Sequence, residues 1–252
     1  MPSIQTEKKS ASQVGLAEEI EAYWDERSTA FSRVRLQELA GPDGSAWWDF
    51  IAARLPKGKR LAVLDVGTGA GFFAILFARA GHKVTAIDQS ARMLLRAREN
   101  ALAWGCKADF RKMDAQCLSL PDAAFDVVIS RNLTWTLPDA MQAYREWLRV
   151  LKPGGLLLNF DSDCGSKSFC DTVDTAHAHT QVDAGQVRRC NAIKDSLRIS
   201  THARPHWDLA FLQECGCACT CEPDIAPLVH LDPEIAYDNI PLFAICARKK
   251  ER

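Results

Sequence analysis

Residues 61–73 read Leu-Ala-Val-Leu-Asp-Val-Gly-Thr-Gly-Ala-Gly-Phe-Phe, an apolar run that meets an acid at Asp65 and then breaks into alternate glycines at Gly67, Gly69 and Gly71. The run is nearly all apolar, as a strand covered on both faces requires. Glycines at its end let the backbone take positive φ and approach a ligand closely, and the helix that follows supplies free N–H groups at its first turn. A dinucleotide fingerprint, G-x-G-x-x-G, needs its third glycine at position 72. That position is Phe72, so the spacing is G-x-G-x-G.

Working outward, residues 70–80 place Phe73, Leu76, Phe77 and Ala80 on one helical face, with Gly81 as a stop. The alternation then repeats, with strands at 83–88, 108–113 and 125–130. A helix runs from an N-cap at Ser90 to about Trp104. Pro138 opens a helix reaching Leu151, and Pro153-Gly154-Gly155 breaks it before a strand at 156–160. The last third reads as a short helix at 207–214, a strand at 217–222 and a final strand at 241–248. A loop rather than a crossover helix joins that last pair, which implies an antiparallel addition. The expected fold is therefore α/β, Rossmann-like and doubly wound. Its sheet has seven strands, mostly parallel with an antiparallel last strand, plus N-terminal helices and a cap insertion.

The chain has 252 residues, 47% hydrophobic and 25% charged, a globular composition compatible with one large domain. Its 31 basic and 32 acidic side chains give a net charge of −1, which disfavours nucleic acid as a partner. No apolar run reaches the roughly 18–20 residues of a membrane span, and the first residues are polar. A cytoplasmic location follows as an expectation, in which the ten cysteines are mostly reduced, small apolar side chains.

The glycine turn resembles motif I of the class I S-adenosylmethionine (AdoMet)-dependent methyltransferases, and later segments match the same family in order. Asp88 ends the second strand, where the family holds the ribose hydroxyls; taken alone it reads equally as a surface carboxylate or a helix cap. Asp114-Ala115 follows the third strand, at the family's adenine-reading position, and Arg131-Asn132-Leu133 follows the fourth, beside the methionine moiety. Leu148 to Gly155 resembles the turn before the family's fifth strand. The resemblance covers about residues 60–161 and implies AdoMet as cofactor. It implies a cofactor set of Asp65, Gly67, Thr68, Gly69, Asp88, Gln89, Met93, Asp114, Ala115, Arg131, Asn132 and Leu133. Tyr23 and Arg27 join that set from an N-terminal helical segment, residues 1–55, which in related enzymes folds over the cofactor. Residues 56–252 form the AdoMet-binding domain.

Methyl transfer from a sulfonium is an in-line displacement that needs alignment and dryness more than acid–base groups. No catalytic residue is fixed by the sequence. Candidates are His177 and His206 in a polar insertion at 162–206, which also holds His179 and His202, and Arg131 as a bidentate partner for a carboxylate. The insertion has too few large apolar residues for its own core and leaves the fifth strand beside the glycine turn, so it reads as a mobile substrate cap. Residues 130–138, Ser-Arg-Asn-Leu-Thr-Trp-Thr-Leu-Pro, lack the family's Pro-Pro-Tyr signature for amide or adenine amino groups and point to a small-molecule acceptor. The alternating Cys215, Cys217, Cys219 and Cys221 raise a second possibility, a thiol-based protein that binds or methylates a metal or metalloid such as arsenite. Against it, alternate strand residues lie about 6.6–6.8 Å apart and cannot surround one tetrahedral ion. No metal site is assigned, and oligomeric state is not read.

Overall fold

Val63, Leu64 and Val66 are fully buried, and the strand they form, β1 (Ala62–Val66), lies mid-sheet. The computed structural model describes residues 11–165, 167–169, 182–237 and 239–251. The other strands are β2 (Lys83–Asp88), β3 (Asp109–Lys112), β4 (Phe125–Arg131), β5 (Leu151–Ser162), β6 (Cys217–Glu222) and β7 (Leu242–Lys249). They pair in the order β3-β2-β1-β4-β5-β7-β6. The first five are mutually parallel, and β7 is antiparallel to both its neighbours. The antiparallel last strand thus lies inside the sheet, and β6 forms the edge.

Helices α1 (Ala11–Ala40), α2 (Pro42–Ala52), α3 (Phe72–Arg79) and α4 (Ala91–Ala103) precede β3; α5 (Ala140–Val150), α6 (Ala184–Ser196), α7 (His206–Glu214) and α8 (Ala226–Val229) follow β4. Alternation along β1 divides the core. Val63 packs with Trp47 of α2, Phe73 and Phe77 of α3, and Val229 of α8. Leu64 and Val66 pack on the other face with Tyr144 and Trp147 of α5 and Phe211 of α7. The Ser90 cap forms as expected, its Oγ accepting the Met93 N–H at 3.0 Å. Two boundaries differ from expectation. Asp139 caps α5 by accepting from Gln142 N at 2.9 Å, so Pro138 stays outside the helix. That helix ends at Val150, and β5 begins at once, absorbing Pro153-Gly154-Gly155 as a register shift opposite Phe125 and Val127. Gly154, at φ +71°, lets the bulge stay within the strand.

Strand order reverses between β1 and β4, opening a crevice at their carboxyl ends. Two segments close over it. α1 crosses the mouth, and α6 of the insertion packs on α1. Cys190, Ile193, Leu197 and Ile199 meet Tyr23 and Ala140 there, while Gln186 and Arg189 bond Glu26 at 2.8 and 3.2 Å. The insertion therefore leans on the N-terminal helix as well as on the sheet; its residues 170–181 lie outside the described set. No helix among the described residues is long and apolar enough to cross a membrane.

A buried polar knot ties the far end of the insertion to the sheet. Arg204 donates to Asp208 at 2.8 and 2.9 Å and to Thr134 at 2.6 Å, and stands 3.3 Å from Asp161. Asp208 also accepts from Tyr144 at 2.7 Å, and Thr134 bonds Asp161. Arg204→Met would leave two carboxylates buried without their cation. The unfolding free energy should fall by about 3–5 kcal/mol, seen as a lower urea midpoint; an unchanged midpoint would show that the knot contributes nothing to stability.

Candidate functional site

The turn after β1 is built from the inside. Asp65, 2% exposed, accepts from Thr68 Oγ1 at 2.6 Å and from Ala74 N, in the first turn of α3, at 3.0 Å. One carboxylate oxygen therefore holds both the loop and the helix start. Gly67 and Gly69 stand at φ +68° and +52°. A Cβ on Gly67 would come within 2.7 Å of Leu133, and one on Gly69 within 3.0 Å of Phe31, so only glycine fits here. Burial pushes the Asp65 carboxyl up to about 7, against the Thr68 and Ala74 hydrogen bonds.

Asp88, at the carboxyl end of β2, accepts Gly69 N on Oδ2 at 2.8 Å and Ser90 N on Oδ1 at 2.9 Å. Each oxygen keeps a lone pair for a further donor. Burial pushes this carboxyl up to about 6. Ser90 Oγ donates in turn to Asp25 of α1 at 2.5 Å, which fastens α1 over the turn.

These groups border a cavity of about 450 Å³, within the roughly 300–1,000 Å³ of small-molecule sites. Gly67, Gly69, Asp88, Gln89 and Met93 line it from the turn and β2 side, and Ala115, Arg131, Asn132 and Leu133 from the later strands. Tyr23 and Arg27 line it from α1. The insertion contributes Cys164, Phe169, Val187 and Cys190. Three residues of the expected cofactor set do not face the cavity. Asp65 and Thr68 lie behind the turn they fasten, and Asp114 accepts from the backbone and side chain of Gln116 at 2.9 and 3.0 Å.

Among the candidate histidines, His206 is exposed at the start of α7 and off the cavity wall, because the α7 face turned inward carries Asp208, Phe211 and Leu212. His177 and His179 lie outside the described residues. His202 stacks on Trp207, centroids 4.7 Å apart. Among the described residues the histidine that lines the cavity is His230, which no local pattern marks. Its ring stacks on Tyr237 at 3.5 Å, and its Nε2 lies 3.5 Å from Arg131 Nη2. Burial, then Arg131, pulls it down to about 3, so it stays neutral.

Arg131 pairs with buried Glu38 of α1 at 2.9 and 3.1 Å, its guanidinium 4.5 Å from the Trp47 ring centroid. Arg35 meets the same carboxylate at 2.9 Å, and Tyr237 Oη lies 2.7 Å from it. Burial alone would raise the Glu38 carboxyl, but Arg131 and Arg35 outweigh it and hold it below the usual range. Asp43 accepts Leu231 N and Asp232 N at 2.6 and 2.7 Å, which fixes the segment carrying His230.

The cysteine tract sits on β6, where Cys217, Cys219 and Cys221 turn to the Phe211 face of the core. Burial pushes the Cys219 and Cys221 thiols up to about 11, so they remain protonated. Among the described residues no three His, Cys, Asp or Glu side chains are grouped to hold a metal ion.

A family model described as a methyltransferase domain matches residues 63–155. A ubiquinone biosynthesis O-methyltransferase of Xanthomonas axonopodis is 32% identical over 150 residues, 52% of this chain and 62% of that protein. A malonyl-[acyl-carrier protein] O-methyltransferase of Erwinia pyrifoliae is 41% identical over 101 residues, 40% of this chain and 37% of that one. This chain thus spans less than two thirds of either relative. The fold is shared with an S-adenosylmethionine-dependent methyltransferase from Mesorhizobium loti (TM-score 0.58, 22% identity, 83% of this chain and all of that one). It is shared too with one from Aquifex aeolicus (TM-score 0.56, 19% identity, 86% and 97%).

The Asp65 geometry makes a pH prediction. A carboxyl whose folded value is raised binds its proton more tightly in the folded state, so its contribution to stability falls as pH rises from about 4, its unfolded value, to about 7 and is level above. Asp65→Asn removes that contribution. Relative to the variant, the wild type should lose stability across this window in urea titrations at stepped pH; a constant difference would mean Asp65 titrates normally.

Proposed function

We propose that the chain, whose residues 63–155 match a methyltransferase-domain model, is a class I AdoMet-dependent methyltransferase that moves a methyl group from AdoMet to a small-molecule acceptor by in-line displacement. One observation carries this reading. The glycine turn, the half-used Asp88 carboxylate and the Arg131–Leu133 segment border one cavity at the strand-order reversal.

The residues present suit the cofactor. Gly67 and Gly69, whose Cβ positions are closed off by Leu133 and Phe31, bring bare backbone to the cavity wall, and Asp88 offers two acceptor lone pairs, the number a ribose diol uses. Gln89 and Met93 flank that position, Ala115 borders the adenine end, and Asn132 and Leu133 border the methionine end. Tyr23 and Arg27, on α1, would hold the tail. AdoMet, when bound, supplies an electrophilic methyl on a sulfonium. The chain's own part is to orient the two reactants and exclude water. Trp24, Trp135 and Phe169 supply dry walls, and the insertion at 162–206 acts as a cap over the acceptor end. The net charge of −1 and the covered mouth favour a small acceptor over a nucleic acid.

Calorimetry with S-adenosylhomocysteine should show saturable binding; a folded sample that ignores it and binds NAD instead would refute the proposal. Asp88→Ala should weaken that binding roughly 10- to 100-fold, from about 1.5–3 kcal/mol per charge-assisted bond. Unchanged affinity would mean the ribose sits elsewhere. Limited proteolysis within 162–206 should slow when S-adenosylhomocysteine is bound, whereas cutting that is indifferent to it would remove the cap.

A further inference from the structure

Resting on the methyl-transfer reading above, we propose that the acceptor is a small carboxylic acid whose carboxylate is held between Arg35 and Arg131, at the end of the cavity closed by His230 and Tyr237. Both guanidiniums border the cavity, yet both lean on one buried acid, Glu38. Asp43 is occupied by two backbone N–H groups and Tyr237, and does not line the cavity. His230 is neutral there. Glu38 likewise lies behind the wall, so among the described residues this end presents two guanidiniums and no carboxylate to the cavity, a face that favours an entering anion.

The Arg131 and Arg35 side chains keep 8% and 9% of their surface exposed and both border the cavity, while the Nε of each is buried away from it. A guanidinium's planar donors match the two oxygens of a carboxylate. Trp47 and Phe72 beside Arg131, and Phe31 beside Arg35, keep water away and strengthen the attraction. Burial lowers the Arg35 guanidinium to about 10, and attraction to Glu38 outweighs repulsion from Arg131.

The acid belongs to the acceptor rather than to the cofactor tail because of where its partners come from. Arg35, Glu38, His230 and Tyr237 all lie outside the matched stretch 63–155, whereas Gly67, Gly69 and Asp88 of the cofactor cradle lie within it. Arg27, assigned to the cofactor tail, stands eight residues before Arg35 on α1, about 12 Å along the helix.

The test uses the full chain saturated with S-adenosylhomocysteine and titrated with benzoate and hexanoate, each against its uncharged amide. The wild type should prefer each acid roughly tenfold or more. Arg35→Gln should reduce that preference. The double variant Arg131→Met with Arg35→Gln, which removes both cations and leaves Glu38 bonded to Tyr237, should abolish it, with circular dichroism confirming the fold. Equal binding of acid and amide to the wild type, or a preference kept by both variants, overturns the proposal. So does a double variant that binds S-adenosylhomocysteine tenfold less well but methylthioadenosine normally, since the guanidiniums would then serve the cofactor tail. Acid preference in a chain that never binds S-adenosylhomocysteine supports the anion site and overturns the methyl-transfer reading instead.

Discussion

The carboxylate of Asp65 is the interaction on which the site depends. It sits at the end of a strand buried on both faces and bonds forward to Thr68 and Ala74, so the glycine turn is clamped from beneath. From there a chain of hydrogen bonds runs across the crevice. Gly69 N–H meets Asp88, Asp88 also holds Ser90 N–H, and Ser90 reaches Asp25 on α1. One polar thread joins β1, the turn, β2, α4 and the covering helix, and the groups that would touch a ligand are fixed by groups that would not. Burying Asp65 is unfavourable for its charge, as its raised proton affinity records. The fold tolerates this because the oxygen satisfies two donors at once.

The second organising feature lies at the opposite end of the cavity. Glu38, from the last turn of α1, gathers Arg35, Arg131 and Tyr237, and Tyr237 carries the His230 ring stacked on it. This cluster joins the N-terminal helix, the end of β4 and the segment between β6 and β7. The cavity thus has a polar, carboxylate-bearing end at Asp88 and a cationic end at Arg35 and Arg131, with aromatic walls from Trp24, Trp135 and Phe169. Such asymmetry suits two different molecules meeting end to end.

Much of this was legible in the sequence, because local rules govern it. The apolar run before Gly67, the Ser90 cap and the limits of β2 and β6 each depend on neighbours a few residues away. The G-x-G-x-G spacing showed where a ligand could approach. The Arg35–Glu38–Arg131–His230–Tyr237 cluster was not legible, since its members are almost 200 residues apart and no periodicity links them. His206 drew attention by its place in a polar insertion, yet it faces solvent, while His230 sits in an ordinary stretch. The start of β5 was missed because Pro153-Gly154-Gly155 is read as a break, and only pairing with β4 shows that a strand can carry it as a bulge. The Arg204 knot is of the same kind, bonding Arg204 to Thr134 across 70 residues.

The central claim is that the carboxyl ends of β1, β2 and β4 form one cofactor cradle. A crystal structure of the chain grown with S-adenosylhomocysteine tests it most directly. The account predicts both ribose hydroxyls within hydrogen-bond distance of Asp88, the adenine beside Ala115, and the sulfur facing the part of the cavity bordered by Arg131 and His230. Density for the nucleoside anywhere else, or a ribose turned away from Asp88, would contradict it.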